Sequence, residues 1–554
     1  MEKEKKTIDK NSIRFTIMAV ILIAIFCFAI SPVTLQNDTF YTIKIGEHIL
    51  QNGIDMKDPF SWHENLQYTY PHWLYDVVIY LVYSIGGQVG IYISTIVLSI
   101  ALGLTMYLVN IKLTKNKLTS FVLTIGAMYL LRNYIAARAQ LATFILFILT
   151  VYFIEMFLET KKKRYVVGLI IIPIIIANVH LAVFPFYFVL YLPYIAEYMI
   201  YILSHTEIIV VNAKIDRLNK KILKTTNEDE IQKIKDEINR LEQKNEKTIN
   251  KKEKINANPY KIKIRGNNNV KALIIIMIIC LFTGFLTPLG TTPYTYLIKT
   301  MQGSTTHNIS EHLPLTLVNN LEFMCTLVLF IAILTFTDTK IRLSDLFMLG
   351  GLIFLTFYTR RQFSMFTLIC VMILNRLINA LLNKYDPEGC KKAIDKMTTI
   401  TGMIVTICLV LTISVIQYKP KMKNHFIDEN SYPVEAATYI LENLDINNIK
   451  LYNEYNYGSY LIFRGIPVFI DSRADLYAPE FNPGVEVFND YINLSNVDID
   501  NVEEKLDKYG ITHMLMYKKS KLRKFVEQNT EKYNLLYEDD NFCLFERKQV
   551  KESV

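Results

Sequence analysis

The 554-residue sequence has no Gly-rich phosphate loop, no HExxH pair, no serine elbow and no kinase signature. Nucleotide-driven chemistry therefore has no carrier here, and a donor that is already activated and lies in a membrane fits better. The seven cysteines do not pair by spacing. Cys27, Cys280, Cys325, Cys370 and Cys408 fall inside apolar runs, where a thiol behaves as a small hydrophobe, so neither a disulfide framework nor a zinc site is expected. No internal repeat or pair of broken helices is evident, which ranks a transporter last. The net charge of +8 sits in short clusters between apolar runs, a pattern of membrane loops rather than of nucleic-acid binding.

What is present is apolar length: 51% of the residues are hydrophobic and 12% aromatic. Apolar runs recur at 15–33, 88–111, 118–134, 139–158, 165–178, 181–203, 271–287, 321–337, 343–358, 361–383 and 397–417, which predicts about eleven crossings. The stretch 73–85, ending at Gly86-Gly87, is too short to span alone and is expected at the interface or partway in. Lys3, Lys5, Lys6, Lys10 and Arg14 precede the first run, and no small-residue cleavage site follows it, so residues 1–33 read as the N-terminus with an uncleaved helix. Lysines and arginines favour alternate loops, which places the N-terminus in the cytoplasm and the tail outside. The organisation that follows is an outer loop at 34–72, a first half-bundle at 73–205, a charged cytoplasmic helical hairpin at 206–268, a second half-bundle at 269–417 and an extracytoplasmic domain at 418–554. The hairpin rests on a heptad-like seam (Ile215, Leu218, Ile222; Ile231, Ile234, Ile238, Leu241) broken near Thr226-Asn227, and a solvated spacer is the simpler account of its charge. In the tail, helices at 433–444, 458–464 and 520–528 alternate with strands at 449–452, 468–470, 512–517, 534–537 and 542–546, which predicts a small α/β domain. The expected fold is an all-α polytopic bundle with a C-terminal soluble α/β domain.

Candidate chemistry gathers in the 34–72 loop, which is long where other connections are short. Asp38, just past the first helix, suits a general base that takes a proton from a hydroxyl, or else caps the helix 39–51. Asp58 begins Asp58-Pro59, a turn or cap if not a cavity residue, and His72 closes the loop. Trp62 and Trp73, the only tryptophans, either serve the loop or anchor it at the interface. Arg132, Arg138, Arg360 and Arg361 lie at outer span ends, against the usual charge bias. They either snorkel to headgroups or grip a lipid phosphate in bidentate fashion. Asn178 and His180 sit at another such end, where polar groups either line a cavity or pack. In the tail, Asp471, Arg473 and Asp475 follow the 468–470 strand. With Asn453 and Tyr457 they either hold a ligand at strand ends or fix the domain through an Arg–Asp pair.

Several of these stretches carry a family likeness. Asp38-Thr39-Phe40-Tyr41, Ile45-Gly46-Glu47-His48-Ile49-Leu50, Asp58-Pro59-Phe60-Ser61-Trp62 and His72-Trp73-Leu74 resemble the first outer loop of bacterial multi-pass proteins in the GT-C glycosyltransferase superfamily. Arg138-Ala139-Gln140, Asn178-Val179-His180, Arg360-Arg361-Gln362-Phe363, the stretch from Asn453 to Leu461 and the stretch from Val468 to Tyr477 match recurring positions of that group. The resemblance covers nearly the whole chain outside 206–268. It implies a cell-membrane, envelope-linked protein that takes a sugar from a polyprenyl-phosphate donor and passes it to a glycan, lipid or protein acceptor. In that scheme Asp38 is the catalytic base and Arg138, Arg360 and Arg361 hold the donor phosphate. Asp58, His72, Asn178 and His180 line the cavity. Asn453, Tyr457, Asp471, Arg473 and Asp475 form an outer-domain motif. The superfamily also admits a divalent metal, Mg or Mn, at this loop, but Gln36-Asn37-Asp38 lacks the second acidic residue of the usual pair, and no metal ligand is assigned. The competing expectation is a non-catalytic module that binds a lipid-linked glycan for envelope assembly.

Overall fold

The computed structural model describes residues 10–224, 227–257, 261–303, 305–497 and 502–548. Lys3, Lys5, Lys6, Thr226 and the last residues of the tail lie outside them. The first half-bundle comprises Lys10–Ile30 (α1), Asn37–Asn52 (α2), Trp73–Thr114 (α3), Lys117–Leu131 (α4), Ala139–Thr160 (α5), Lys163–Val179 (α6), Phe184–Val189 (α7) and Leu192–Ser204 (α8). Thr206–Ile222 (α9) and Glu228–Ala257 (α10) form a charged pair, joined by Lys214–Glu237 at 2.6 Å and Asn245–Asn212 at 2.5 Å. The second half adds Ile262–Lys263 (β1), Asn269–Leu281 (α11), Thr292–Gln302 (α12), Thr305–Asn308 (α13), Leu321–Phe336 (α14), Ile341–Arg342 (β2), Leu343–Tyr358 (α15), Phe363–Tyr385 (α16), Gly389–Met397 (α17) and Ile400–Tyr418 (α18).

A lipid core offers no water to bond backbone groups, so a spanning segment must satisfy them internally, as a helix does. Among the described residues six helical stretches are long and apolar enough to cross: 10–30, 73–114, 139–160, 181–204, 360–385 and 400–421. Three shorter apolar helices stand at 269–285, 321–336 and 343–358. This makes the chain a polytopic membrane protein. The remaining expected runs, 118–134 and 165–178, appear as helices of 15 and 17 residues, short of a full crossing. The stretch 73–85 is a short helix of its own. Although it runs on into the next helix without a loop, Gly87 at φ +57° and ψ −146° breaks residues 73–114 into two helices across a kink, at the glycine pair where the short stretch was expected to end.

Charge inside the bundle is paired. Arg342 reaches Glu155 at 2.6 Å and Asp345 at 2.7 Å, and Arg376 reaches Asp345 at 2.5 Å. Mutual pairing is what makes such groups tolerable at that depth.

The C-terminal domain contains Val434–Asn443 (α19), Leu451–Tyr452 (β3), Gly458–Phe463 (α20), Val487–Asn496 (α21), Val502–Tyr509 (α22), His513–Tyr517 (β4), Lys521–Gln528 (α23), Tyr533–Glu538 (β5) and Phe542–Arg547 (β6). The sheet order is β3-β4-β6-β5, with β3 parallel to β4 and the other pairs antiparallel. The expected strand 468–470 is absent. Val468 makes a single bridge to Ser61, because its neighbour is the 34–72 loop rather than the sheet. Loop and domain share one apolar core. The Phe40 ring meets Tyr432 edge-on at 5.0 Å and Tyr460 at 5.3 Å. The domain is also tied to the start of the bundle: Lys421 Nζ donates to the carbonyls of Ala29, Ile30 and Ser31, which end α1.

Candidate functional site

The 34–72 loop begins with α2, which lies against α3 because Gly46 lets the two backbones meet. A Cβ at Gly46 would sit 2.1 Å from the Asp76 carbonyl oxygen. The helix starts at Asn37. The capping position there falls on Gln36, so Asp38 is not the cap and stands in the first turn, where the helix dipole favours a carboxylate. The Asp38 side chain is about one-quarter exposed and pairs with Arg138 Nη2 at 2.8 Å. Arg138 precedes α5, and its other amine lies 3.6 Å from Glu311. Burial works against the Arg138 charge, but Asp38 and Glu311 more than offset it and raise its pKa above the ordinary value.

Arg138 opens onto a cavity of about 240 Å³ shared with Gln36, Gln140, Glu311, Arg360 and Arg361. Arg360 is held by its own backbone and Nε, which donate to the Leu313 and Pro314 carbonyls at 3.0 and 3.3 Å. The Arg361 guanidinium is half-buried and makes no hydrogen bond or ion pair among the described residues. Gln36 Oε1, Asn37 Oδ1 and Arg138 Nε are also buried without a partner. Buried polar atoms are nearly always bonded, so the unbonded Gln36 and Arg138 atoms on residues that line the cavity mark a place for a ligand. Three guanidinium groups and the Glu311 carboxylate line the cavity, whereas Asp38 is not in its lining and meets it through its pair with Arg138.

A divalent cation does not fit these residues. Arg138 stands against both Asp38 and Glu311, where a cation bridging them would sit, and no group of three or more metal-ligating side chains occurs among the described residues.

The other sequence candidates lie elsewhere. His72, Asn178 and His180 are not in the cavity lining. They form a bonded layer: His72 Nδ1 is 3.1 Å from Asp76, Trp73 Nε1 donates to Asn178 at 3.1 Å, Asn178 donates to the Leu286 carbonyl at 2.9 Å, and His180 Nδ1 is 3.3 Å from Thr143 Oγ1. Asp58 lies at the loop–domain junction, fully buried, 2.6 Å from Arg473 Nη1. Burial pushes its carboxyl up, but Arg473 and Ser61 more than reverse that, so its pKa lies below the ordinary value. Arg473 also grips Asp471 at 2.7 Å, and Tyr477 donates to Asp471. Asp471, Arg473 and Asp475 do not alternate along a strand, because the chain turns at Asp471, which accepts the Arg473 N–H at 2.9 Å. Asp475 instead accepts from Tyr296 at 2.7 Å and Thr300 at 3.2 Å, both on α12, and burial raises its pKa against those bonds. Asn453 Nδ2 donates to the Ile470 carbonyl at 2.7 Å while its Oδ1 accepts the Phe469 N–H at 2.8 Å, and Tyr457 donates to Leu515 at 2.6 Å. Arg132 leaves the site altogether, pairing with Glu322 at 3.1 Å.

Sequence reasoning missed Glu311 and Gln36. Glu311 sits in an irregular stretch between apolar runs, where no periodicity or spacing points to it. Gln36 lies two residues from Asp38, close enough to have been considered as a partner.

No protein-family model matches the chain, and no curated protein matches it. Among solved structures, the chain is similar to the archaeal oligosaccharyltransferase AglB from Archaeoglobus fulgidus, in complex with an inhibitory peptide and a dolichol-phosphate. The two are 10% identical with a TM-score of 0.49, over 92% of this chain and 70% of that one.

Proposed function

We propose that this protein is a glycosyltransferase of the membrane that moves a sugar from a polyprenyl-phosphate donor to an acceptor hydroxyl on the extracytoplasmic side. The observation that carries the reading is the half-buried Arg361 guanidinium, which makes no hydrogen bond or ion pair among the described residues and feels the protein's negative charge only at longer range, chiefly from Asp475, beside Arg138 and Arg360 on one cavity. A charge in that state calls for an anion, and the planar fork suits phosphate. Asp38 takes the proton of the acceptor hydroxyl. The acceptor oxygen then bonds to the anomeric carbon as its bond to the phosphate oxygen breaks, and the departing phosphate keeps the electron pair. Arg138, Arg360 and Arg361 offset that charge, and attack opposite the leaving group inverts the anomeric centre. Charge-assisted hydrogen bonds of this kind carry roughly 1.5–3 kcal/mol. Arg361→Ala in purified protein should therefore weaken donor binding by about 10- to 100-fold. Unchanged donor affinity would remove Arg361 from the site.

A second reading is favoured by one specific contact. Arg138 already holds the Asp38 carboxylate in an ion pair at 2.8 Å, so that oxygen is engaged with a protein partner rather than an acceptor hydroxyl. A non-catalytic module that holds a lipid-linked glycan for envelope assembly would show tight donor binding and no transfer to any acceptor.

A further inference from the structure

The C-terminal domain carries a second, larger cavity of about 370 Å³, remote from the arginine wall in both lining and chemistry. It opens at the carboxyl ends of the parallel pair β3 and β4. Glu454 follows β3, Lys519 and Ser520 follow β4, Asp540 and Asn541 form the turn between β5 and β6, and Asn430 closes it from the segment before α19. In open α/β sheets the crevice beyond the carboxyl ends of strands is where ligands sit. The frame is rigid. Glu454 accepts the Tyr517 N–H at 3.1 Å, Lys518 N–H donates to the Asn541 carbonyl at 2.8 Å, and Asn541 Nδ2 donates to Asn430 at 3.2 Å. The Tyr517 ring is held between Phe542 at 4.7 Å and Tyr457 at 5.2 Å.

We infer that this crevice is a carbohydrate-binding site, taking one neutral, polyhydroxylated sugar unit on the C-terminal domain. Its lining consists of side chains that can hydrogen-bond, with acids, amines and amides mixed. A phosphate would meet Glu454 and Asp540, and a metal ion would meet Lys518 and Lys519. A sugar hydroxyl both donates and accepts, so a single ring with several hydroxyls can serve Glu454, Lys519 and Asn541 together. The volume lies within the range of small-molecule pockets. Burial pushes the Glu454 carboxyl up to about 7, which leaves it able to donate as well as accept near neutrality. Through its chain neighbour, Glu454 is also linked to the loop that carries Asp38. Tyr455, the residue after Glu454, accepts a hydrogen bond from Asn37, the residue before Asp38, at 3.1 Å.

The test is saturation-transfer difference NMR on the full-length protein in lipid nanodiscs. The probes are free glucose and free N-acetylglucosamine, with inorganic phosphate as competitor. Expected is sugar signal from the wild type that falls by about tenfold in Asn541→Ala and in the surface variant Lys519→Ala, that survives in Arg361→Ala, and that phosphate does not displace. In a Trp73→Phe background, Trp62 fluorescence, unchanged in each variant, reports an intact domain. Absence of signal with both sugars in the wild type would overturn the inference. So would equal signal in both crevice variants, or loss of signal in Arg361→Ala, which would place the sugar in the arginine cavity.

Discussion

Asp58 and Arg473 stand 415 positions apart in sequence and 2.6 Å apart in space, both with side chains almost completely buried. Asp471 completes a carboxylate–guanidinium–carboxylate triad that fastens the 34–72 loop to the C-terminal domain. Two carboxylates share one buried cation, so removing the cation leaves two uncompensated charges.

Arg473→Ala should therefore destabilise the loop–domain junction by about 3–5 kcal/mol, the usual consequence of breaking a buried pair from one side. Because Trp62 Nε1 donates to the Leu451 carbonyl at 3.0 Å, a Trp73→Phe background makes Trp62 a reporter of that junction. Unfolding of the variant followed by Trp62 emission should show its transition at clearly lower denaturant. A coincident transition would mean that the triad adds nothing to the junction.

His63 predicts a pH dependence of the same junction. Its Nε2–H donates to the Phe469 carbonyl at 2.8 Å, the ring lies 4.2 Å from that of Trp62, and burial lowers its pKa from 6.5 to about 4. The unfolded chain takes up a proton at higher pH than the folded one. The contribution of neutral His63 is thus fully present above pH 6.5 and is lost as pH falls toward 4, by up to about 3 kcal/mol. Junction stability measured through Trp62 should decline across that window in wild type, and His63→Phe should flatten the decline. An equal slope in both proteins would assign the effect to other groups.

Gly458 opens α20 where it crosses the 468–477 segment, and a Cβ there would lie 2.1 Å from the Ile470 carbonyl oxygen. The obstacle is backbone, which cannot step aside as a flexible side chain can. Gly458→Ala should cost about 1–3 kcal/mol in the C-terminal domain, and limited proteolysis should detect it as faster cleavage. Wild-type protease resistance would show that α20 shifts freely.

Much of this organisation is legible in the sequence where the signal is local. Apolar runs announce the long helices, and the alternating pattern of the tail places β4, β5, β6 and α23 within a residue or two of their observed ends. The Val468–Ile470 stretch reads as a strand for a sound reason, three apolar residues before a charged turn, yet its partner is Ser61 from a loop four hundred positions earlier. Nothing local encodes that. The glycine pair Gly86-Gly87, by contrast, is a local signal that does end a helix: Gly87 breaks α3 into two segments across a kink. For the site, residue type separates candidates less well than pairing does. Arg138, Arg360 and Arg361 come together on one cavity, whereas Arg473, equally charged, is consumed by two carboxylates. Which arginine keeps a free guanidinium depends on tertiary contacts that spacing does not carry.

The central claim, that Asp38 takes the proton while the arginines hold the phosphate, is tested most directly by Asp38→Asn in a purified, donor-supplied transfer assay that measures binding and turnover separately. Loss of a general base lowers turnover by roughly 10²- to 10⁴-fold. The account predicts a loss of that size with donor affinity not weakened, because Arg360 and Arg361 are untouched by the change and Arg138, losing the Asp38 charge, keeps its own. Turnover equal to wild type would contradict it.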